Sequence, residues 1–413
     1  MVSVCLYFQV HQPHRLRKYH VFDINNTQDY FDIEKNKEIC RRVAEDCYLP
    51  ANKVLLKLIK RFKGKFKIAF SISGTAIEQF EEYAPKVLKS FRELADTGCV
   101  EFLSETYHHS LSYIYSKKEF KEQLELHKKK IKELFDQEPK IFRNTELIMN
   151  NEMSHYIEHM GYKGILAEGS DHILGWRNPN YVYKTVSNKK TGVLLRNYKL
   201  SDDIAFRFSQ TNWKEYPLTA DKYAKWINGA GNNGEIVNLF MDYETFGEHH
   251  SKESGILEFL EKFPEAVLNN NDLFFTPCEI IDKHPIKGEV DMHNFLSWAD
   301  VERDVSAWTG NPMQINSLEE LYGMEEAVKK SKDKDLLKDW RWLTTSDHFY
   351  YMSTKSLSDG LIHNYFNPYT SPYEAFVAYM NILNDIVLRA NAKIEKIKIT
   401  EKPSKSVLKK GRK

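Results

Sequence analysis

Short apolar runs alternate with longer amphipathic stretches along the first two thirds of the chain. Residues 2–10, 66–72, 99–103, 140–144, 164–167, 193–198 and 236–241 carry the composition of buried β-strands. Between them, residues 51–62, 77–97, 117–136, 151–160, 221–230 and 252–268 place apolar side chains at helical spacing. Gly98 and Gly161 fall where helix C-terminal caps are expected. Seven strands alternating with helices predict a parallel α/β sheet, most simply a closed (β/α)7 barrel, with an open doubly wound sheet as the alternative. The pattern changes near residue 285. Residues 318–330, 335–345 and 373–394 read as helices with no strand between them. The expected organisation is therefore a barrel over 1–285, a helical domain over 286–396, and a basic, aperiodic tail over 397–413 predicted to be disordered.

Composition narrows the class. The chain has 413 residues, 42% hydrophobic and 28% charged, with a formal net charge of +1. These values describe an ordinary globular protein and give no support for a nucleic-acid or membrane partner. No segment approaches the roughly 18 apolar residues of a membrane span. The N-terminus lacks the basic region of a signal peptide. Cys5, Cys40, Cys47, Cys99 and Cys278 show no CxxC spacing and read as reduced thiols, so a cytoplasmic location is expected. Lys and Glu crowd the surface-like segments, as in heat-adapted proteins. Neither G-x-G-x-x-G nor G-x-x-x-x-G-K-[ST] is present, which removes the usual support for nucleotide binding.

Candidate chemistry is concentrated by position. The first strand ends in QVHQPH (9–14), the third is followed by SETYHHS (104–110), the fourth ends in RNTE (143–146), and the seventh ends in MDYETFGEHH (241–250). In a parallel barrel the C-terminal strand ends converge on the active site. Glu146 and Asp242 are the carboxylates placed to act as a pair, which suits cleavage of a glycosidic bond by a nucleophile or base and a protonated acid. A purely structural reading, in which both cap helices or pair with Arg143, competes with it. The histidines His11, His14, His108, His109, His249 and His250 admit a scattered metal site, but HExxH and zinc-ligand spacing are absent. Hydrogen bonds from neutral histidines to sugar hydroxyls are the favoured reading, with no cofactor or metal expected.

At these residues the sequence resembles glycoside hydrolase family 57, an amylolytic family with five short motifs. HQP at 11–13 matches the first motif, EFLSETYHH at 101–109 resembles the second, FRNTEL at 142–147 the third, MDYETFG at 241–247 the fourth, and TSDHFYYM at 345–352 the fifth. Many members carry HxHQP, whereas Gln9 stands at the first histidine position here. The resemblance, closest to the α-amylase-type members, implies a (β/α)7 barrel followed by helices and retaining action on α-glucans without a catalytic metal. It makes Glu146 the nucleophile and Asp242 the general acid/base. It also suggests His11, Glu105, Tyr107, Arg143, Asp347 and His348 as substrate-binding residues, with Trp213, Trp298 or Tyr107 stacking on glucose. Hydrolysis, 4-α-glucanotransfer and branching all use the same two carboxylates, so the motifs leave them open, as they do the oligomeric state. A metal-dependent barrel hydrolase and a non-catalytic glucan-binding protein are the readings from other classes.

Overall fold

The computed structural model describes residues 1–355 and 367–400. Among these, ten strands form two sheets: β1 (Ser3–Val10), β2 (Ile68–Ile72), β3 (Val100–Phe102), β4 (Ile141–Arg143), β5 (Gly164–Glu168), β6 (Val182–Thr185), β7 (Gly192–Arg196), β8 (Ile236–Asp242), β9 (Leu273–Phe274) and β10 (Ile286–Val290). The first sheet runs β3-β2-β1-β8, with β9 also pairing β1, and all its pairs are parallel. The second runs β10-β6-β7-β5-β4 and is parallel except for the β6–β7 pair. The protein is thus an α/β fold built on parallel sheets.

The seven strands read from the sequence correspond to β1–β5, β7 and β8. They were legible because strands covered on both faces are apolar nearly throughout; β1, β2, β5 and β7 are buried at every position. The other three lack that signal. β6 is VYKT, β9 is two residues long, and β10 (IKGEV) is exposed along most of its length. β10 also begins at the first residue of the expected helical domain. A helix expected over 77–97 is two, Gly74–Tyr83 and Pro85–Ala95. Pro85 bars its predecessor from the helical region, and Ala84 accordingly sits at φ −143°, ψ 56°. Gly98 (φ +69°) and Gly161 (φ +87°) supply the left-handed turns expected of them. The final helix is Pro372–Thr400; the remainder of the basic tail lies outside the described residues. No helix among the described residues is long and apolar enough to cross a membrane.

One apolar cluster collects Cys5 and Tyr7 from β1, Ala69 from β2, Leu103 after β3, Ile141 from β4, Leu166 from β5, Leu194 from β7 and Phe240 from β8. The two sheets therefore share an interior. They also touch at two places. Ser104 pairs in parallel with Phe142, and the Asn197 amide beyond β7 donates to the Asn238 carbonyl of β8 at 2.9 Å. A second cluster, containing Trp308, Trp340, Leu343 and Tyr379, holds the C-terminal helices together.

The turn after β8 depends on Gly247. Its φ is +131°, and an added Cβ would lie 2.0 Å from the Asp46 carbonyl oxygen. Gly247→Ala is expected to cost at least about 2 kcal/mol, from backbone strain and the clash together; a fall in the urea midpoint at unchanged m-value measures it.

Candidate active site

Parallel pairing in register carries the motif residues to one end of the sheets. Gln9 is level with Ser71 of β2 on one side and with Asp242 of β8 on the other. His11, Glu105 and Glu146 follow β1, β3 and β4 at the same ends.

Glu146 occupies a tight turn, Thr145–Leu147, in left-handed backbone geometry (φ 53°, ψ 27°), as does Leu147 (φ 54°). Such conformations cost a non-glycine residue of order 1–3 kcal/mol and persist only where the surroundings impose them. Here the Trp298 amide donates to the Glu146 carbonyl at 3.2 Å. Both carboxylate oxygens are held as well: Oε1 lies 2.9 Å from His109 Nε2, and Oε2 accepts the Trp298 indole N–H at 2.7 Å. The indole is itself flanked by guanidinium groups, Arg143 at 4.9 Å and Arg196 at 5.5 Å from its ring. Arg196 is anchored by Glu168 (3.1 Å) and Asp202 (2.5 Å), and Arg303 Nη1 donates to the Trp298 carbonyl.

His109 links Glu146 to a second carboxylate. Its Nδ1 lies 3.0 Å from Glu105 Oε2, and Gln9 Nε2 donates to Glu105 Oε1 at 3.2 Å. Burial disfavours charge on His109, but hydrogen bonds to Glu105 and Glu146 outweigh it and lift its pKa to about 9. At neutral pH the imidazolium can donate from both nitrogens. Burial raises the Glu105 carboxyl, yet the bond and charge of His109, with His127 and Arg143 nearby, bring it down to about 2. His11 stacks on His109 with ring centroids 4.0 Å apart. Burial and the His109 charge lower its pKa, so it stays neutral. Its Nδ1 is 2.7 Å from Ser73 Oγ, and its Nε2 is 2.9 Å from Asp347 Oδ2. Burial acts to raise the Asp347 carboxyl, but His11 and His109 hold it well below the usual range.

Asp242, the last residue of β8, is partly exposed and lines the same pocket as Glu146, with Arg196, Thr245 and Trp298 among its walls. Two residues on, Glu244 is buried and accepts the Tyr48 hydroxyl, to which Gln12 Nε2 donates at 3.2 Å. Burial and the Asp242 charge push its pKa up to about 8, so the Glu244 carboxyl keeps its proton at neutral pH.

The residues singled out in the sequence fall into three groups. Glu146 and Asp242 face one pocket. His11, Glu105 and Asp347 form the hydrogen-bonded network around His109, with Glu105 wholly buried. Arg143, Tyr107 and His348 are placed elsewhere. Arg143 is fully buried and contacts the Trp298 ring, with no hydrogen bond to Glu146. The Tyr107 hydroxyl donates to Glu78 at 3.1 Å beside a different cavity, and His348 is buried with Nε2 3.2 Å from the Trp342 carbonyl. Trp213 is half-buried and packs against the core beside Trp226. Gln9, where the sequence departs from HxHQP, serves to fix Glu105. The sequence reading did not separate His109 from His108, whose signal was the polar cluster after β3, and it took Trp298 for a stacking ring, not for an N–H donor to Glu146. Among the described residues, no group of three His, Cys, Asp or Glu side chains is arranged to hold a metal ion.

Two outcomes follow from the His109 bridge. His109 aims one oxygen of Glu146, and misplacing a reacting group costs about 10²-fold, so His109→Gln should lower kcat by that order, read from initial rates. The raised His109 pKa also couples to stability. A group whose folded pKa lies above its unfolded value of about 6.5 adds stability below that pH and loses it as pH rises through about 9. The wild-type urea midpoint should therefore fall between those values relative to His109→Gln; parallel profiles would disprove the charged bridge.

Comparison with known proteins gives the family and the fold. The family profile Glycosyl hydrolase family 57 matches residues 5–293. A Methanocaldococcus jannaschii protein, provisionally named an alpha-amylase, is 46% identical over 392 residues, covering 92% of this chain and 82% of its own. Among solved structures, a branching enzyme of Thermococcus kodakaraensis superposes with a TM-score of 0.69 at 13% identity, over 97% of this chain and 92% of that one. A 4-alpha-glucanotransferase of Thermococcus litoralis gives 0.65 at 15% identity, over 84% of this chain but only 56% of the longer protein. At such identities the structural matches speak to the fold.

Proposed function

The chain belongs to glycosyl hydrolase family 57, and from that premise we propose that it hydrolyses α-1,4-glucosidic bonds of starch- or glycogen-type glucans with retention, as an α-amylase. The observation that carries this reading is the pairing of Glu146 and Asp242 in one pocket, with both oxygens of Glu146 held by donors.

Glu146 attacks the anomeric carbon. The bond from that carbon to the glycosidic oxygen breaks as Asp242 gives its proton to the departing oxygen, and a glucosyl ester on Glu146 results. Asp242 then removes a proton from water, whose oxygen bonds to the anomeric carbon while Glu146 leaves. His109 and Trp298 aim the nucleophile throughout, since each holds one of its oxygens. Glu244 keeps a second, uncharged carboxyl beside Asp242, so the acid/base has no anionic side-chain neighbour at that position. Transfer to a sugar hydroxyl in place of water uses the same steps, and the fold is shared with enzymes named for transfer and branching.

The scaffold we propose is a (β/α)7 barrel of β1–β5, β7 and β8 over residues 1–285, with 286–396 as a helical domain apart from its first residues, which form β10 beside β6. The shared interior cluster and the two contacts between the sheets support closure. Asp347, on the helical side, supports a cleft between the two parts through its bond to His11. The five free cysteines fit a reducing, cytoplasmic setting.

Maltoheptaose treated with wild type and with Glu146→Gln tests the proposal. Shorter maltooligosaccharides with rising total reducing ends, absent in the variant, are expected. Longer and shorter products at constant reducing ends would make the enzyme a transferase acting through the same nucleophile. Full activity in Glu146→Gln would overturn the mechanism.

A further inference from the structure

Helix Lys117–Phe135 fully buries three polar side chains at four-residue spacing, Glu119, Gln123 and His127. Residues four apart share one helix face, so this is a polar stripe turned inward, where such groups persist only when hydrogen-bonded. None of the three belongs to the sequence motifs, and the reaction described above assigns them no step. The two ends of the stripe have plain partners. Glu119 binds Arg341 at 2.8 Å and Lys329 at 2.7 Å, both from the C-terminal helices. His127 Nδ1 accepts the Glu105 amide at 3.4 Å, and its Nε2 donates to the Ile72 carbonyl at 2.9 Å.

Gln123 lies between them, and its carboxamide is used at both ends. Oε1 accepts the His108 amide at 3.2 Å and the Ser110 hydroxyl at 2.9 Å. Nε2 donates to Glu119 Oε1 at 3.2 Å and to Thr344 Oγ1 at 3.3 Å. A backbone N–H can only donate and a carboxylate can only accept, so the orientation of this amide is fixed by its partners. The two bonds to Oε1 straddle His109, which holds left-handed backbone geometry (φ 50°). Such a conformation persists only where the surroundings impose it. The His109 amide donates to the Thr106 carbonyl at 3.0 Å, the Ser346 amide donates to the His109 carbonyl at 3.0 Å, and Gln123 grips the residue on either side.

We infer that Gln123 is a positioning residue for the nucleophile: it fixes the backbone of 108–110 so that the His109 ring meets Glu146. The inference rests on reading Glu146 as the nucleophile and adds a residue, outside the motifs, that sets its aim. The same carboxamide reaches Thr344, next to the bridge between Ser110 and Thr345, so one side chain holds the His109 turn and the approach to Asp347 in register.

The test compares full-length wild type, Gln123→Met and Thr344→Val. Methionine keeps the length of the side chain and removes its hydrogen bonds, whereas valine at 344 removes the bond to Nε2 and leaves both bonds to Oε1. Two readouts are needed: kcat on maltoheptaose, and the fall of the urea midpoint between about pH 6.5 and the raised His109 value of about 9. The groups that face His109 are Glu105, Glu146, the stacked ring of His11 and, beyond it, Asp347; a turn released from Gln123 loosens the two carboxylate bonds that hold its proton. Gln123→Met should lose about tenfold in kcat, short of the about 10²-fold of a wholly misplaced group, with KM little changed and a shallower fall of the midpoint with pH. Thr344→Val should keep the wild-type fall. A midpoint lowered equally at every pH with kcat retained would make Gln123 merely structural and overturn the inference. Equal losses in both variants would assign the effect to docking of the C-terminal helices and overturn it as well. Should Gln123→Met not fold, Ser110→Ala, which deletes one of the two bonds to Oε1, decides by the same readouts. If wild type left maltoheptaose intact, the hydrolase reading would fail, and the pH dependence of the midpoint alone would uphold or end the hold of Gln123 on His109.

Discussion

A carboxylate that must attack carbon has to be ionised, desolvated and fixed in direction, and these demands conflict in a protein interior. The Glu105–His109–Glu146 chain reconciles them. One buried imidazolium lies between two carboxylates, so the charges offset each other in a region shielded from water. Glu105 is the deep anchor, held by Gln9 and His109; Glu146 is the exposed end, open to the pocket. The rest of the site is arranged around this chain. β1 supplies Gln9, the turn after β3 supplies Glu105 and His109, and β4 delivers Glu146 in a backbone conformation that Trp298 helps to hold.

His11 shows how strongly the chain conditions its surroundings. Stacked on a charged ring, it cannot readily take a second proton, and so it presents a neutral edge between Ser73 and Asp347. Asp347, kept ionised, lies in the C-terminal part of the chain, more than 300 residues from His11 in sequence. A hydrogen bond of this span ties the helical region to the sheet ends directly at the reacting groups.

Much of this was legible in the sequence. Seven strands announced themselves because double-sided burial leaves little room for polar residues, and the convergence of four polar clusters followed from parallel topology. What escaped has physical reasons. β10 is a largely exposed edge strand whose composition resembles a loop, and β6, paired between β10 and β7, is only four residues of mixed polarity. Glu105, suggested by the resemblance as a substrate contact, is wholly buried, and only the network with His109 and Gln9 shows how its charge is compensated. Arg143 ends β4 three residues before Glu146, but the left-handed turn at 145–147 carries the Glu146 side chain away from it, and Arg143 packs on the indole instead. The roles of His109 and Trp298 arise from contacts across 37 and 152 residues, which no local pattern encodes.

The span between His11 and Asp347 has a further consequence for how the protein fails. Native proteins open in cooperative parts, and the less stable part sets the first loss of structure. The C-terminal helices pack in an apolar cluster distinct from the interior shared by the sheets, joined there by Leu16, Tyr19, Tyr30 and Phe31 from the segment after β1, and together they form a candidate unit of that kind. Their detachment would withdraw Asp347 from His11 while the carboxylates stayed on intact strands. Catalytic competence would then be governed by docking of one segment rather than by survival of the whole fold, and activity would report a partial equilibrium that spectroscopic melting of the sheets does not register.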